Sequence, residues 1–335
     1  MFFSGGANVG QLLEQRRIES ERRIQALQQS LVDAEKLCGS KACVYITGSF
    51  SRGEASQYSD LDLFIAGLIK QKERALSRLD EIIIKADLIK ATEKLAIPKF
   101  SKDGEYLIHY TVDELVKTLG TQQDDASNTF TARLLLLLES TPLLGTTAYR
   151  QITEKVIKAY WRDYDDHKHD FMPAFLANDI LRMWRTFCVN YEARTKDEPP
   201  SKKGKRKLTN FKLGHSRLLT CYSALLYLLA VFSKNGTVRP RDATKMVRLT
   251  PINRLEWLKE QPELGSTHKK IDDLISSYEN FLMLTDAPEQ DLVNKVLDKK
   301  QWKIYSTSAN QFGDLMFNVL DSIGKGNSFY RRLVV

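Results

Sequence analysis

The sequence predicts an α+β protein, with strands and helices interleaved in residues 1–120 and helices dominating residues 121–335. Three observations carry this reading. Two short apolar, β-prone stretches, Ala42-Cys43-Val44-Tyr45-Ile46 and the run from Leu61 to Ile65, lie on either side of a Gly48-Ser49 break. A third stretch, Tyr106 to Tyr110, reads as another strand. From Asp125 onward the strand signal fades and apolar residues recur at helical spacing.

Taken in order, residues 8–38 place Leu12, Leu13, Ile18, Ile24, Leu27, Leu31 and Ala34 among charged residues at roughly helical intervals, which predicts one long N-terminal helix. The stretch 42–46 is a short buried strand, ended by Gly48-Ser49, where glycine permits a tight turn. A helix is expected over Gln71 to Ala96, with Leu76, Leu79, Ile82, Ile83, Ala86 and Ile89 as its apolar stripe and Pro98 as its stop. Further helices are expected over Thr129–Glu139, Tyr149–Tyr164, Pro173–Arg194, Leu208–Phe232, Lys269–Leu284 and Gln301–Ile323. No internal repeat interrupts this pattern.

A chain of 335 residues exceeds a typical single domain, so two are expected: 1–120 with the strands, and 121–335 as a helical domain. Its 42% hydrophobic content supports a sizeable core, yet no window approaches 18 consecutive apolar residues, which argues against a membrane span. The start, Met1 to Gln11, lacks the basic and apolar regions of a secretory signal. Cysteines at 38, 43, 188 and 221 show no Cys-x-x-Cys spacing, against a zinc ribbon or a disulfide framework and in favour of a reducing cytoplasm. The net charge of +8 favours polyanionic company, nucleotide, RNA or DNA. Much of the excess sits in local runs, notably Lys202-Lys203-Gly204-Lys205-Arg206-Lys207 after Glu198-Pro199-Pro200-Ser201, most simply a mobile solvated loop and alternatively a clamp on nucleic acid or triphosphate.

The chemistry concentrates between Ile46 and Ile65. Because side chains alternate along a strand, Asp60 and Asp62 project from one face while Leu61 and Leu63 project from the other. Two adjacent carboxylates resist desolvation and raise each other's pKa unless a cation joins them. Mg²⁺ suits such a pair, since it takes oxygen ligands and completes its shell with water and substrate phosphates. Upstream, Gly48 and the Ser49 hydroxyl are expected to face an anion, with the start of the next helix adding its positive end. Arg52 is expected to help hold a triphosphate or to pair with carboxylates. Each feature alone reads as an ordinary turn or solvated edge; their order makes a catalytic site the better reading.

Gly48-Ser49-Phe50-Ser51-Arg52-Gly53-Glu54 followed by Ser59-Asp60-Leu61-Asp62 resembles the signature of the DNA polymerase β-like nucleotidyltransferase superfamily. The Arg-Gly-Glu and Ser-Asp-Leu-Asp wording is most similar to the uridylyltransferase-type branch that modifies signalling proteins. The resemblance covers about residues 42–66. It implies a small mixed sheet flanked by helices, two Mg²⁺ ions for which Mn²⁺ substitutes, and transfer of a nucleoside monophosphate from an NTP with release of pyrophosphate. It also implies a third carboxylate from a later strand. Glu105 is favoured over Asp103 for that role, although Asp103-Gly104 also fits a plain hairpin turn. Superfamily members grip the triphosphate with a Lys and a Ser from the helical domain, a role carried here to Lys212 and Ser216, four apart; the plain alternative is a basic, exposed helix start.

Other polar clusters have simpler readings. Asp179 and Arg182 are spaced for an intrahelical ion pair, Arg133 and Glu139 flank an apolar helix as end charges, and Asp165 to Asp170 is a solvated loop rather than a zinc site. The expected acceptor is a macromolecule, protein or tRNA. The rivals are a synthase of cyclic or linear oligonucleotide signals and a silent nucleotide-binding regulator of a toxin–antitoxin type pair.

Overall fold

The computed structural model describes residues 10–98, 100, 104, 107–195 and 199–334. Its first part runs α1 (Gln11–Ser30), α2 (Val32–Cys38), β1 (Ala42–Thr47), α3 (Gly48–Ser51), β2 (Asp62–Gly67), the ribbon strands β3 (Ile69–Lys70) and β4 (Glu73–Arg74), α4 (Arg78–Lys94), β5 (His109–Thr111) and α5 (Val112–Lys117). Then come α6 (Gln123–Ala126), α7 (Thr129–Leu138), β6 (Thr141–Leu144), α8 (Thr146–Tyr160) and α9 (Ala174–Thr195). The remainder is α10 (Pro200–Asn235), α11 (Pro240–Arg248), α12 (Pro251–Lys259), α13 (His268–Leu284), α14 (Glu289–Leu297), α15 (Lys299–Gly324) and α16 (Ser328–Val334). The fold is α+β, a small mixed sheet followed by helices.

The sheet has the order β5-β2-β1-β6, with β1 antiparallel to both neighbours and β2 parallel to β5. The β1–β2 register pairs Thr47 with Asp62, so the end of one strand faces the start of the other at a single sheet edge. Strand β6 enters from beyond residue 120, so the sheet draws on chain from both sides of that position. Period-two alternation then divides the strands between two cores. Val44, Ile46, Leu63 and Ile65 pack with Leu27 of α1, with Leu31 between α1 and α2, and with Ile84 and Leu88 of α4. Cys43, Tyr45, Phe64 and Ala66 face the other way, into the core that continues through the helical part. Tyr45 stacks on Phe64 with ring centroids 5.5 Å apart and donates its hydroxyl to the Ala132 carbonyl at 3.0 Å. The face bearing Asp60 and Asp62 is thus the one that meets the helices.

Several expectations change. The single helix expected over 8–38 breaks at Leu31. The helix expected from Gln71 begins at Arg78, because Ser77 caps it by accepting the Asp80 N–H at 3.1 Å, and the residues before it form the ribbon. Its apolar stripe is also reversed: Glu81, Ile84, Leu88, Ala91 and Thr92 are buried, while Leu79 is 73% exposed and Ile82 54%. Apolar residues occupy both faces of α4, so periodicity alone does not choose between them. The expected strand Tyr106 to Tyr110 is observed over His109–Thr111.

Most consequential is the basic run, expected as a loop and found in the opening turns of α10. Pro200 stands at the first helical position, where its fixed φ and missing N–H cost nothing. Gly204 lets α14 approach, since a Cβ there would lie 2.9 Å from Leu297 and 3.0 Å from Val293. Helix α10 is the spine of the helical part, packing on α9, α12, α14 and α15. Its Lys202–Asn235 stretch is long and apolar enough, by length and composition alone, to cross a membrane, but 72% of its apolar window is buried inside the protein.

Arg133 and Glu139 are not end charges. Arg133 is fully buried, donating to both oxygens of Asp124 at 2.8 and 2.5 Å and to the Tyr160 hydroxyl at 3.0 Å. Tyr160 in turn donates to Asp179 at 2.7 Å, and Arg182 bonds Asp125 at 2.5 Å, closer than its 3.8 Å approach to Asp179. The segment 165–170 is an exposed turn, as its composition implied.

Candidate active site

The site begins where β1 stops. Gly48 has φ +73°, a conformation that side-chain-bearing residues rarely adopt, and a Cβ on it would sit 3.0 Å from Asp62 Oδ2. Glycine is therefore required both for the turn and for the approach of the Asp62 carboxylate. The helix that follows is the single turn α3, and the Gly48 N–H donates inward, to Glu139 Oε1 at 3.2 Å, so this donor is not left facing an anion. Ser49 is half-buried, and its carbonyl accepts the Glu54 N–H at 2.8 Å.

Asp62 opens β2 and Asp60 lies just ahead of the strand. Leu61 and Leu63 are each 1% exposed while both aspartates are half-buried, as alternation requires. Burial, then the neighbouring charge of Asp62, push the Asp60 carboxyl above its ordinary value; Lys212 of α10 opposes the shift and Glu289 of α14 adds to it. Burial in turn lowers the Lys212 ammonium against the pull of Glu289 and Asp60. Asp60, Asp62, Lys212 and Glu289 thus share one electrostatic neighbourhood between sheet and helices.

Beneath it lies a sealed network. Arg52, expected at a triphosphate, instead donates Nε to Glu54 Oε2 at 2.8 Å and Nη1 to Glu139 Oε2 at 3.0 Å, with its side chain 7% exposed. Burial works against its charge, but Glu54 and then Tyr278 outweigh this and hold the guanidinium above its ordinary value. Glu139 also accepts from Arg217 of α10 and from the Thr220 hydroxyl at 2.6 Å. Tyr278 of α13 donates to Glu54 Oε2 at 2.9 Å. Arg217 completes the link upward, its charge acting favourably on Asp62. Helix α1 clamps the same loop: Arg16 donates to the Glu54 carbonyl at 2.9 Å, Ser20 accepts the Ala55 N–H at 3.1 Å, and Arg23 lies 4.4 Å over the Phe50 ring.

The structure therefore sets Gly48 against Asp62, lets the charge of Lys212 act on Asp60, and turns Arg52 away. Ser216 is buried, and its hydroxyl donates to the Lys212 carbonyl one turn back at 2.9 Å, so it braces the helix rather than presenting a donor. Glu105 and its alternative Asp103 lie outside the described residues. Sequence reasoning passed over Glu139 as an end charge and missed Glu289, Arg217 and Tyr278; only Arg217 had a local signal, three residues after Gly214 in the run that holds Lys212.

Among the described residues no group of three or more His, Cys, Asp or Glu is placed to hold a metal. Asp60 and Asp62 form an oxygen-only pair, and at Asp60 burial and the charge of Asp62 disfavour ionisation, the condition a hard divalent cation relieves.

Residues 27–117 match the family model described as a nucleotidyltransferase domain, of the polymerase β-like kind. The match spans β1, β2, β5, the Gly48 turn and both aspartates. This similarity supports a transferase activity that moves nucleoside monophosphates, with an NTP as substrate. No curated protein matches the chain.

Proposed function

We propose that the protein is a divalent-cation-dependent nucleotidyltransferase that moves a nucleoside monophosphate from an NTP to a hydroxyl on a macromolecule, releasing pyrophosphate. The observation that carries this is the half-buried Asp60–Asp62 pair at the sheet edge, approached by Gly48 on one side and by Lys212 on the other. Asp60 and Asp62 would hold Mg²⁺, or Mn²⁺ in its place, with Glu105 as the third ligand; bound there, the cation supplies positive charge for the triphosphate and acidifies the acceptor hydroxyl. Because β2 and β5 run parallel, both start at the same sheet edge, which favours a ligand from the chain leading into β5.

The chain's own residues do the positioning. Gly48 admits the Asp62 carboxylate, Lys212 offers its ammonium to phosphate oxygens beside Asp60, and Ser49 lies at the turn for a further contact. The acceptor oxygen attacks the α-phosphorus, the bond from that phosphorus to the α–β bridging oxygen breaks, and pyrophosphate departs with the electron pair. The hydroxyl proton passes to the third carboxylate. Arg52-Gly53-Glu54, the wording that resembles the protein-modifying branch, serves the buried network and so gives no information about the acceptor.

The test is incubation with each α-labelled NTP, Mg²⁺ and a lysate, followed by pyrophosphate assay and size fractionation of the label. Label on a macromolecule, lost in Asp60→Asn, is the expected result. A small nucleotide product formed from NTPs alone would replace this reading with the oligonucleotide synthase. NTP binding that never yields pyrophosphate would replace it with the silent regulator.

A further inference from the structure

We infer that the outer face of α4 is the contact surface for a second copy of this chain, paired antiparallel across a two-fold axis, a contact that does not depend on the transfer reaction proposed above. Among the described residues thirteen large apolar side chains are left exposed, and four of them fall on this one 17-residue helix: Leu79 (73%), Ile82 (54%), Ile83 (48%) and Ile89 (45%). With the half-buried Ala86 they make a stripe about 120° wide at 3.6 residues per turn, on the side away from Ile84 and Leu88, which hold the helix to the sheet. A surface helix ordinarily carries one apolar face, and α4 carries two. Leu79, Ile82, Ala86 and Ile89 also follow the three-four-three spacing of a coiled-coil seam.

That spacing is complementary to itself. With the two-fold axis beside residue 84, antiparallel pairing sets Leu79 against the second copy's Ile89 and Ile82 against its Ala86, whose small side chain leaves room, while Ile83 meets its own counterpart. Symmetry repeats each layer, so four apolar layers form with no charge in the seam. At each end Glu93, the next position of the same repeat, comes within a turn of the second copy's Arg78. Both residues are exposed, and among the described residues neither has an ion-pair partner in its own chain. Parallel pairing would instead set Glu93 on Glu93 and Arg78 on Arg78, which like charges oppose. The rim mixes signs, Asp87 and Glu93 with Lys90 and Lys94, which suits the edge of a protein contact and not an anionic lipid surface. The seam is only about 15 Å long, less than a standard interface needs, so a weak dimer with a dissociation constant of about 10 µM is expected. Asp60 and Asp62 lie on the opposite face of the sheet, so the pairing leaves them open.

The experiment is sedimentation velocity of the full chain at concentrations from ~1 to ~200 µM, which bracket the expected constant. The weight-average mass should rise from the 38.4 kDa of one chain toward twice that value. Ile82→Glu/Ile89→Glu should raise the dissociation constant at least about 100-fold, because it puts four charges into the seam of the pair. Its circular dichroism should match wild type, since both side chains are exposed in the single chain. Glu93→Arg should weaken the dimer about tenfold by turning two attractions into repulsions, and Glu93→Arg/Arg78→Glu should restore it. A single-chain mass at every concentration, or a dimer untouched by the seam variant, overturns the inference. Weakening by Glu93→Arg that the swap does not restore, or no weakening at all, overturns the antiparallel register. Single chains that sediment with phosphatidylcholine–phosphatidylserine vesicles would give the face to a membrane surface and overturn the inference as well.

Discussion

Two pairs of carboxylates surround the Gly48 turn in space, and the protein treats them oppositely. Glu54 and Glu139 are 1% and 0% exposed and are met by Arg52, Arg217, Tyr278 and Thr220. Asp60 and Asp62 are half-buried, and two residues of α10 act on them, Lys212 on Asp60 and Arg217 on Asp62. The first pair is compensated from within and serves as architecture. In the second, burial and the charge of Asp62 disfavour ionisation of Asp60, the condition an added cation relieves. Acidic residues near a catalytic turn are thus not interchangeable candidates; what distinguishes them is which cations the fold commits to them.

The comparison breaks most visibly if the open pair is dispensable. Asp60→Asn and Asp62→Asn should each lower pyrophosphate release by roughly three orders of magnitude, about 4 kcal/mol of barrier, with circular dichroism unchanged. Removing the divalent cation with a chelator should do the same to wild type. Full activity in either variant would refute the assignment.

The sealed pair predicts the opposite pattern, a loss of stability. Glu139→Ala leaves Arg52 and Arg217 buried with a partner missing, and loss of one member of a buried ion network costs about 3–5 kcal/mol. The variant should unfold at clearly lower denaturant concentration, by tryptophan fluorescence. A midpoint within error of wild type would show that the network is not the link between sheet and helices. Gly48→Ala falls between the two classes. Its φ of +73° makes the substitution strained by about 1–2 kcal/mol, and its Cβ would press on Asp62 Oδ2, so a modest stability loss should accompany a roughly tenfold fall in turnover.

What the sequence disclosed follows the range of the interactions involved. The alternation that sets Asp60 and Asp62 opposite Leu61 and Leu63 is a property of adjacent residues and was readable directly. The phase of α4 was not, because Leu79, Ile82 and Ile83 make as good a stripe as Ile84 and Leu88, and only the capped start and the packing of α2 and the sheet choose between them. Glu139 was illegible for a different reason: its partners Gly48, Arg52, Arg217 and Thr220 are 91, 87, 78 and 81 residues away. Arg52 looked like a phosphate ligand because the sequence shows its charge and not the buried acids that claim it. The basic run after Pro199 was misread because loop-like composition outweighed Pro200, a residue that starts helices as readily as it ends them.

The smallest expected effect tests the same contrast through protons. Burial and the charge of Asp62 raise the Asp60 carboxyl in the folded protein, so the native state binds this proton more tightly than the unfolded chain does. With the native state holding more protons, this group favours the fold below the ordinary aspartate range, and its contribution falls as pH rises through that range to the raised native value. Asp60→Asn does not titrate there. The difference in melting temperature, wild type minus variant, measured without divalent cation, should therefore decline across that window and level off above it. Adding Mg²⁺ near neutral pH should raise the wild-type melting temperature more than the variant's, because a cation bound to the ionised pair favours the folded state. A difference that rises with pH in the metal-free protein would mean that Asp60 is already compensated from within, as Glu54 and Glu139 are, and the distinction between the two pairs would be lost.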